Sequence, residues 1–150
     1  MTDEVTGAPR VPRTAAEFES YYELRWQVLR ALWKMPRGSE RDEFENVAHH
    51  RAVFTNDTAI AAGRLHQVDS AVAQIRAMAV DPAYQKQGLG SQILNALESV
   101  ARDQGLEKVK LHARDEAVPF YQKHGYEVVG PGPFSWGIKH FEMSKQLQSP

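Results

Sequence analysis

Residues 78–90 read Met-Ala-Val-Asp-Pro-Ala-Tyr-Gln-Lys-Gln-Gly-Leu-Gly and join a strand-like run to a helix-like one. After the loop, apolar residues recur at helical spacing, and Gly105 is suited to the left-handed position that ends a helix. Glycines at 88 and 90 let an anion approach the unpaired N–H groups and the positive dipole end of that helix. The stretch therefore predicts a phosphate-binding loop, in which Lys86 adds a cation and Gln85 an uncharged hydrogen-bond donor.

Two common nucleotide-binding motifs do not fit this loop. It lacks the Gly-Lys-Ser/Thr ending of nucleoside triphosphatases, and the third glycine of a dinucleotide fingerprint would fall at Ile93. The alternative to a phosphate site is that Gly88 and Gly90 merely shape a tight turn between a strand and a helix.

The composition limits the classes of protein to be considered. The 150 residues suffice for one domain, and the formal charge is nearly balanced at −1. A basic surface that would hold nucleic acid or an anionic membrane is therefore not indicated. Cysteine is absent, which excludes disulfides, a thiol nucleophile and cysteine-ligated zinc, and we expect no bound metal. The sequence shows neither a signal-peptide pattern nor a run long enough to span a bilayer, so we expect a cytoplasmic protein.

Before the loop, the pattern predicts a helix and then a three-stranded meander. Residues 1–13 hold few large apolar groups and are expected to form a mobile or extended lead-in. Thr14 and Glu17 fit a capping box for a helix that ends at Pro36, and the acidic residues 39–47 allow a short helix within a loop. The period then changes to two, which predicts antiparallel strands over residues 51–55, 59–68 and 71–80.

After the loop, strands and helices alternate. The pattern predicts a helix from Leu89, strands over 109–113, 126–129 and 138–143, a short helix over 116–124 and a loop over 131–133. Together these elements predict one α+β domain over residues 14–150, with helices on both faces of a sheet.

Two segments resemble the GNAT superfamily of N-acetyltransferases. Residues 78–90 look like its central motif, and residues 117–126, Ala-Val-Pro-Phe-Tyr-Gln-Lys-His-Gly-Tyr, look like its second motif. The resemblance covers about residues 14–147, and the pairs at 24–25 and 29–30 with the ending 137–143 are similar to a small bacterial subgroup. It implies a mixed, mostly antiparallel central sheet.

The resemblance also implies where acetyl-CoA binds. The pyrophosphate would lie on the backbone amides of residues 87–91, and the pantetheine arm would pair with the backbone of Met78 and Val80. The strand around residues 111–113 would splay away to leave a cleft. The Val80 amide would polarise the thioester carbonyl. The implied set for this co-substrate is Met78, Ala79, Val80, Gln85, Lys86, Gln87, Gly88, Leu89, Gly90 and Ser91.

Tyr121 is the implied catalytic residue. At its position a tyrosine commonly protonates the departing CoA thiolate. The alternative is that Phe120 and Tyr121 pack a short helix onto the sheet.

The general base stays open, because the chain departs from the family pattern. Gln74 stands where some relatives carry a glutamate, and an amide accepts no proton at neutral pH. His66, His112 or a water relay are the alternatives. Arg114 replaces a common asparagine, and is expected to pair with Asp115 or Glu116 or to reach a CoA phosphate.

Three residues are candidates for the acceptor site: Arg76, His112 and His140. Arg76 is expected on the same strand face as Met78, with an ion pair to an acid such as Glu45 as the alternative. Trp136 would flank the same side or pack. The acidic segment Glu40, Asp42, Glu43 and Glu45 would attract a cationic amine or form a solvated face.

The sequence thus predicts transfer of an acetyl group from acetyl-CoA to a primary amine of a small molecule or peptide. The absence of cysteine favours direct attack in a ternary complex. The alternative is a non-catalytic module that binds or senses acyl-CoA. We expect no nucleic-acid or membrane partner, and leave open a homodimer, the acceptor, and an acyl group longer than acetyl.

Overall fold

Seven strands form one sheet through the centre of the protein, seen in a computed structural model that describes residues 6–135 and 137–147. The strands are β1 (Thr6–Arg10), β2 (His49–Thr55), β3 (Thr58–Gln67), β4 (Val72–Val80), β5 (Lys108–Arg114), β6 (Glu127–Ser135) and β7 (Ile138–Gln146). Their order is β1-β2-β3-β4-β5-β7-β6. Only β4 and β5 pair in parallel, so the predicted mixed, mostly antiparallel sheet and its meander are confirmed.

Three helices cover the two faces of this sheet, as predicted. They are α1 (Ala15–Leu29), α2 (Leu89–Asp103) and α3 (Val118–Lys123). Alternate strand residues enter two separate cores. Ala52 and Ala62 pack with Tyr21 and Leu24 of α1, whereas Val53 and its neighbours pack with α2 and α3. The first face is called the α1 face below, and the second the α2 face.

Residues 6–10 of the expected lead-in form a strand, while residues 1–5 lie outside the described residues. Thr6–Arg10 is an edge strand that pairs with β2. The Arg10 guanidinium donates to the Glu17 carboxylate at 2.9 Å, while Thr14 Oγ accepts from the Glu17 N–H at 3.0 Å. Glu17 also accepts from the backbone of Arg13, so it ties the strand to the start of α1. Polar side chains rather than apolar ones thus hold this strand, which explains why its sequence gives no strand signal.

Three other boundaries differ from the sequence expectation. Helix α1 ends at Leu29 and is followed by a single 3₁₀ turn, Ala31–Trp33. Residues 39–47 form turns and no helix, because Asp42 accepts from the nearby Phe44 N–H and Glu45 from the Asp42 N–H. Residues 131–133, expected as a loop, belong to β6, where proline is tolerated because β6 is an edge strand.

A β-bulge interrupts β4 at Ala77. Ala62 pairs with Ala79 and Arg64 with Arg76, so one residue of β3 faces two of β4. Ala77 has a left-handed φ of 58°. The extra residue reverses the side-chain alternation of the strand beyond this point. Arg76 points to the α1 face, whereas Met78 packs against Gly63 and Ile93 on the α2 face. The expectation that Arg76 and Met78 share a face was therefore wrong.

Strands β4 and β5 separate half-way along their length. Their parallel pairing runs from Val72 with Lys108 to Ile75 with Leu111 and then stops, although both strands continue. The backbone of residues 76–80 is therefore left without a strand partner on the β5 side. None of the helices among the described residues is long and apolar enough to cross a bilayer.

Candidate functional site

One cleft of about 960 Å³ occupies the gap between β4 and β5. It is lined from both faces of the sheet, because residues of the α2 face and of the α1 face border it together. It brings together Tyr121, the three acceptor candidates and the residues implied for acetyl-CoA except Gln87, which is exposed on the loop.

The loop side of the cleft consists of Gln85–Ser91 and the start of α2. Gly88 precedes α2 in the left-handed conformation, with φ 79°, and a Cβ there would meet nothing within 4 Å. Among the described residues, no side chain caps this helix end. The first N–H groups of a 15-residue helix thus face open space with their dipole unopposed. This geometry suits an anion with several oxygens, such as a pyrophosphate.

The side chains of the loop differ in what they offer. Leu89 is buried in the core, so only its backbone is available, and Lys86 is exposed with a left-handed φ of 66°. Gly90 lies close to Phe120, since a Cβ there would sit 3.3 Å from its ring. Ser91 Oγ is 2.9 Å from His124 Nε2, a contact that links the first turn of α2 to the end of α3.

The Val80 N–H points into the cleft. Asp81 donates its N–H to the Ile60 carbonyl of β3 at 2.9 Å, and neighbouring residues of an antiparallel strand point their polar groups to opposite sides. The N–H and C=O of Val80 are therefore directed away from β3, towards the gap that β5 has left. A backbone donor in such a gap can bind an extended ligand or a carbonyl oxygen.

Tyr121 borders the cleft from α3. It is 8% exposed and packs edge-on against Phe120 and Tyr126, so its ring belongs to the core. Burial raises the pKa of the Tyr121 phenol well above its usual range. The phenol therefore stays protonated at neutral pH, and both the acid and the packing interpretations of Tyr121 remain consistent with this position.

The arginine side of the cleft lies on the α1 face and is formed by Arg30, Arg76 and Arg114. Leu111 and Ala113 of β5 point into the α2 core, so the alternating residues His112 and Arg114 point the other way. Arg114 has its guanidinium 5.9 Å from the Trp33 ring, and within the described ranges neither Asp115 nor Glu116 forms an ion pair with it. The expected pairing with those acids is therefore not found.

The partner of Arg76 differs from the one expected. Its guanidinium lies 3.4 Å from a carboxylate oxygen of Asp42 rather than against Glu45. Asp42 also binds the buried Arg64 at 2.7 Å, and Glu45 binds Arg64 and the buried Arg25, the latter at 2.8 Å. Asp42 and Glu45 are thus already paired with arginines and are not free to bind a cationic amine, whereas Glu43 of the same segment is exposed.

The two histidines considered as bases occupy different environments. His66 is 4% exposed and stacks on Phe44 at 4.3 Å between ring centroids, and it does not border the cleft. His112 does border it, with Nε2 3.3 Å from a Glu142 carboxylate oxygen. Burial lowers the pKa of His112, Glu142 opposes this, and the charges of Lys110 and Arg76 lower the pKa further. At neutral pH the His112 imidazole is therefore uncharged and able to accept a proton.

Two further residues were expected on the acceptor side, His140 and Trp136. His140 borders the cleft opposite Arg114 in the pairing of β5 with β7, and its Nδ1 is 3.1 Å from the Pro133 carbonyl. Trp136 lies outside the described residues. Sequence reasoning missed Arg30, Trp33 and Glu142, because nothing local in the sequence indicates that these positions meet β4 and β5.

Comparison with known proteins identifies the family. The model of the acetyltransferase (GNAT) family matches residues 18–126, which is more than two thirds of the chain. The chain belongs to the GNAT family of acetyltransferases. A GNAT sequence relative, the uncharacterised N-acetyltransferase YjcF of Bacillus subtilis, is 31% identical over 136 residues, which cover 90% of this chain and 96% of the relative.

Solved GNAT structures share the fold. A crystal structure from Lactobacillus plantarum, provisionally assigned as an N-acetyltransferase, superposes with a TM-score of 0.80 at 26% identity, over 95% of this chain and all of that one. An aminoglycoside 6'-N-acetyltransferase solved with coenzyme A reaches a TM-score of 0.72 at 16% identity, over 88% and 92% of the two chains. At that identity the likeness concerns the fold alone.

Proposed function

We propose that this GNAT protein transfers an acetyl group from acetyl-CoA to a primary amine of a small molecule or peptide, with both substrates in the cleft together. The observation that carries this proposal is the uncapped start of α2 beside the unpaired Val80 N–H in a single cleft. A binding site for phosphate and a donor for a carbonyl oxygen are the two features that an acyl-CoA thioester requires.

The residues on the loop side fit acetyl-CoA. The backbone of Gln87–Ser91 would hold the pyrophosphate, with Lys86 and Gln85 beside it, and the free edge of β4 at Met78–Val80 would take the pantetheine arm. The open space around Gly88 and the cleft volume of about 960 Å³ leave room for such an extended ligand. A structural neighbour was solved with coenzyme A, which supports the same choice for this chain. Acetyl-CoA, when bound, supplies the activated acyl carbon.

The chain contributes two proton-transfer groups and one backbone donor. His112 takes the proton from the amine while the amine nitrogen forms a bond to the thioester carbonyl carbon. The Val80 N–H donates a hydrogen bond to the carbonyl oxygen. As the carbon–sulfur bond breaks, Tyr121 gives its proton to the leaving sulfur. His112 then releases the amine proton to solvent and Tyr121 regains one from solvent, so both groups return to their starting forms. The products are an amide and CoA thiol, so atoms and charge balance.

Direct transfer is favoured because the sequence contains no cysteine to hold the acyl group. The same composition suits the reducing cytoplasm, which we propose as the setting.

The test is release of CoA thiol above the buffer background across a panel of amines. We expect release with at least one amine, and a Tyr121→Phe loss of about 100-fold or more in kcat, the usual contribution of a placed acid. Tyr126→Phe is the matched control. It removes a phenol from the same aromatic cluster, one that donates to Glu98 and does not border the cleft. Binding of acetyl-CoA without release for any amine, and no effect of Tyr121→Phe, would instead identify a non-catalytic acyl-CoA-binding module.

A further inference from the structure

Arginines outnumber the carboxylates available to them on the α1 side of the cleft. Asp42 is shared by Arg64 and Arg76, and Glu45 by Arg64 and Arg25. Each carboxylate of that pair already binds two guanidinium groups, and among the described residues neither forms an ion pair with Arg114.

The other two carboxylates that border the cleft do not restore the balance. Glu40 is buried and accepts from the Gly38 N–H at 2.7 Å and from Arg41 at 3.1 Å. Glu116 borders the cleft without an ion pair to any cation among the described residues. The arginine side therefore retains positive charge in a concave, partly buried setting, where a field is stronger than on an open surface.

The charges of the other two arginines of this side act on Arg30. Arg30, which follows α1, donates through Nε to the Ser39 carbonyl at 3.1 Å and is half-buried. Burial lowers the pKa of Arg30, the charges of Arg25, Arg114 and Arg76 lower it further, and the Glu40 carboxylate opposes them. An anion bound among these like charges would reduce their repulsion.

The guanidinium groups are placed on the correct side of the reacting centre. Arg76 precedes the bulge at Ala77, and Arg114 follows His112 by two residues on the same face of β5. The loop that would hold CoA lies on the α2 face, across the gap. An anion bound by Arg76 and Arg114 would thus lie on the acceptor's side, within the length of a small molecule from His112.

We propose that the acceptor amine carries an oxyanion, a carboxylate or a phosphate, which Arg76 and Arg114 bind while Arg30 completes the wall. Planar guanidinium groups form paired hydrogen bonds with both kinds of oxyanion, which an ammonium cannot do. This inference rests on the proposed acetyl transfer and names the substrate class for it.

The experiment compares amines in matched pairs that differ in the anion. One arm sets amino acids against their amides, and the other sets O-phosphoethanolamine against ethanolamine. The neutral member of each pair loses its ammonium proton more readily and so supplies more of the reactive free amine. This difference in basicity favours the neutral member, which is the opposite of the expected preference. We expect the anionic member of at least one pair to be preferred by 10-fold or more in kcat/KM, and the arm that shows it identifies the oxyanion.

Variants assign this preference to the arginines. Arg114→Met and Arg76→Met should each reduce the preference, measured as the ratio of kcat/KM for the two members of a pair, about 10-fold, because a close charge pair is worth at least 1.4 kcal/mol. Arg13→Met is the matched control, since Arg13 is exposed and does not border the cleft. Circular dichroism verifies that each variant is folded.

The outcomes separate this inference from the proposed function. Equal kcat/KM for anionic and neutral amines would overturn the oxyanion site and leave acetyl transfer standing. If no amine releases CoA thiol, acetyl transfer fails, and calorimetry of the same pairs with CoA present still tests the site. Tighter binding of the anionic member, lost in Arg114→Met, supports it. Equal binding of both members refutes it.

Discussion

The two sides of the cleft are built in different ways. The loop side is made of backbone: the N–H groups at the start of α2, a left-handed Gly88 and the free edge of β4. The arginine side is made of side chains from α1, β4 and β5, held by a network of acids from residues 38–48. A backbone geometry can form in any chain with the same local sequence. A surface made of side chains instead requires particular residues at several positions distant in sequence. The loop side therefore depends mainly on backbone conformation, whereas the arginine side depends on the identity of individual side chains.

His112 should give the largest effect, because it stands where the two sides meet. His112→Asn should lower kcat/KM about 100- to 1,000-fold, the range for a lost general base, with unchanged acetyl-CoA affinity. In the wild type, activity should rise with pH through a pKa below 6.5, because only the neutral imidazole accepts a proton. The pH profile of kcat/KM measures this.

Glu142 sharpens the same prediction. Its hydrogen bond raises the pKa of His112, so Glu142→Gln should move the acid limb of the profile to lower pH. Glu107→Gln is the control, since Glu107 is exposed and distant from the cleft lining. An acid limb that keeps its position in His112→Asn would assign the base to another group or to water.

Gly88→Glu breaks the loop side alone. It places a negative side chain at the helix start that should hold pyrophosphate, so acetyl-CoA affinity should fall on the order of 100-fold by calorimetry. The open space around Gly88 lets the fold survive. Gly88→Ala carries the same backbone strain at φ 79° without the charge and separates the two causes. Unchanged affinity in Gly88→Glu would rule out this ligand position.

Asp42→Asn weakens the support of the arginine side. Burial raises the pKa of Asp42, but hydrogen bonds from Arg64 and Phe44 and the charges of Arg64 and Arg76 outweigh it and lower the pKa to about 2. A lowered carboxyl pKa gives stability that is present above the unfolded pKa near 4 and is lost as pH falls towards 2.

Denaturant unfolding at pH 7 and pH 3 measures this contribution. The fall in unfolding free energy between these pH values should be about 1 kcal/mol smaller in Asp42→Asn, after allowance for the solvent access of the carboxylate. Asp57→Asn is the control on an exposed turn. An identical pH dependence in wild type and Asp42→Asn would contradict the network as drawn.

Ala77→Gly should have the smallest effect, although it lies between the two sides. Glycine removes the strain of the left-handed φ but increases the conformational entropy of the unfolded chain. Because these effects oppose each other, the unfolding free energy should change by less than about 1 kcal/mol. Ala79→Gly, two residues on and buried in normal strand geometry, should instead lose about 1–2 kcal/mol. Equal losses at both positions in thermal unfolding would show that Ala77 is not strained.

The parts of the molecule that local patterns determine could be predicted from the sequence. Helix α2, its left-handed Gly105, the meander and the glycine-containing loop before α2 follow from periodicity and glycine placement. Strand β1 was missed because its anchor is the Arg10–Glu17 ion pair, and the proline-containing part of β6 because an edge strand tolerates what a central strand does not.

The arginine side was largely hidden for a different reason. The one inserted residue at Ala77 reverses the sheet face to which each later side chain of β4 points. An alanine in the sequence does not indicate a bulge. Arg30 and Trp33 come to lie near Arg114 by tertiary packing across 81 or more positions of sequence (114 − 33 = 81), and Glu142 meets His112 across 30 positions, so strand and helix periodicity gives no sign of these contacts.

The bulge in β4 also determines which substitutions on this strand can be made independently of one another. It divides β4 into two parts with separate side-chain alternation: Gln74 and Arg76 point to the α1 face before it, whereas Met78 and Val80 point to the α2 face after it. If the proposed function holds, substitutions at positions 74 and 76, together with 114 on β5, should change which amine is acetylated without disturbing residues 78–91. A library limited to those three positions, screened with a panel of amines, would test whether the acceptor can be changed while acetyl-CoA affinity is kept.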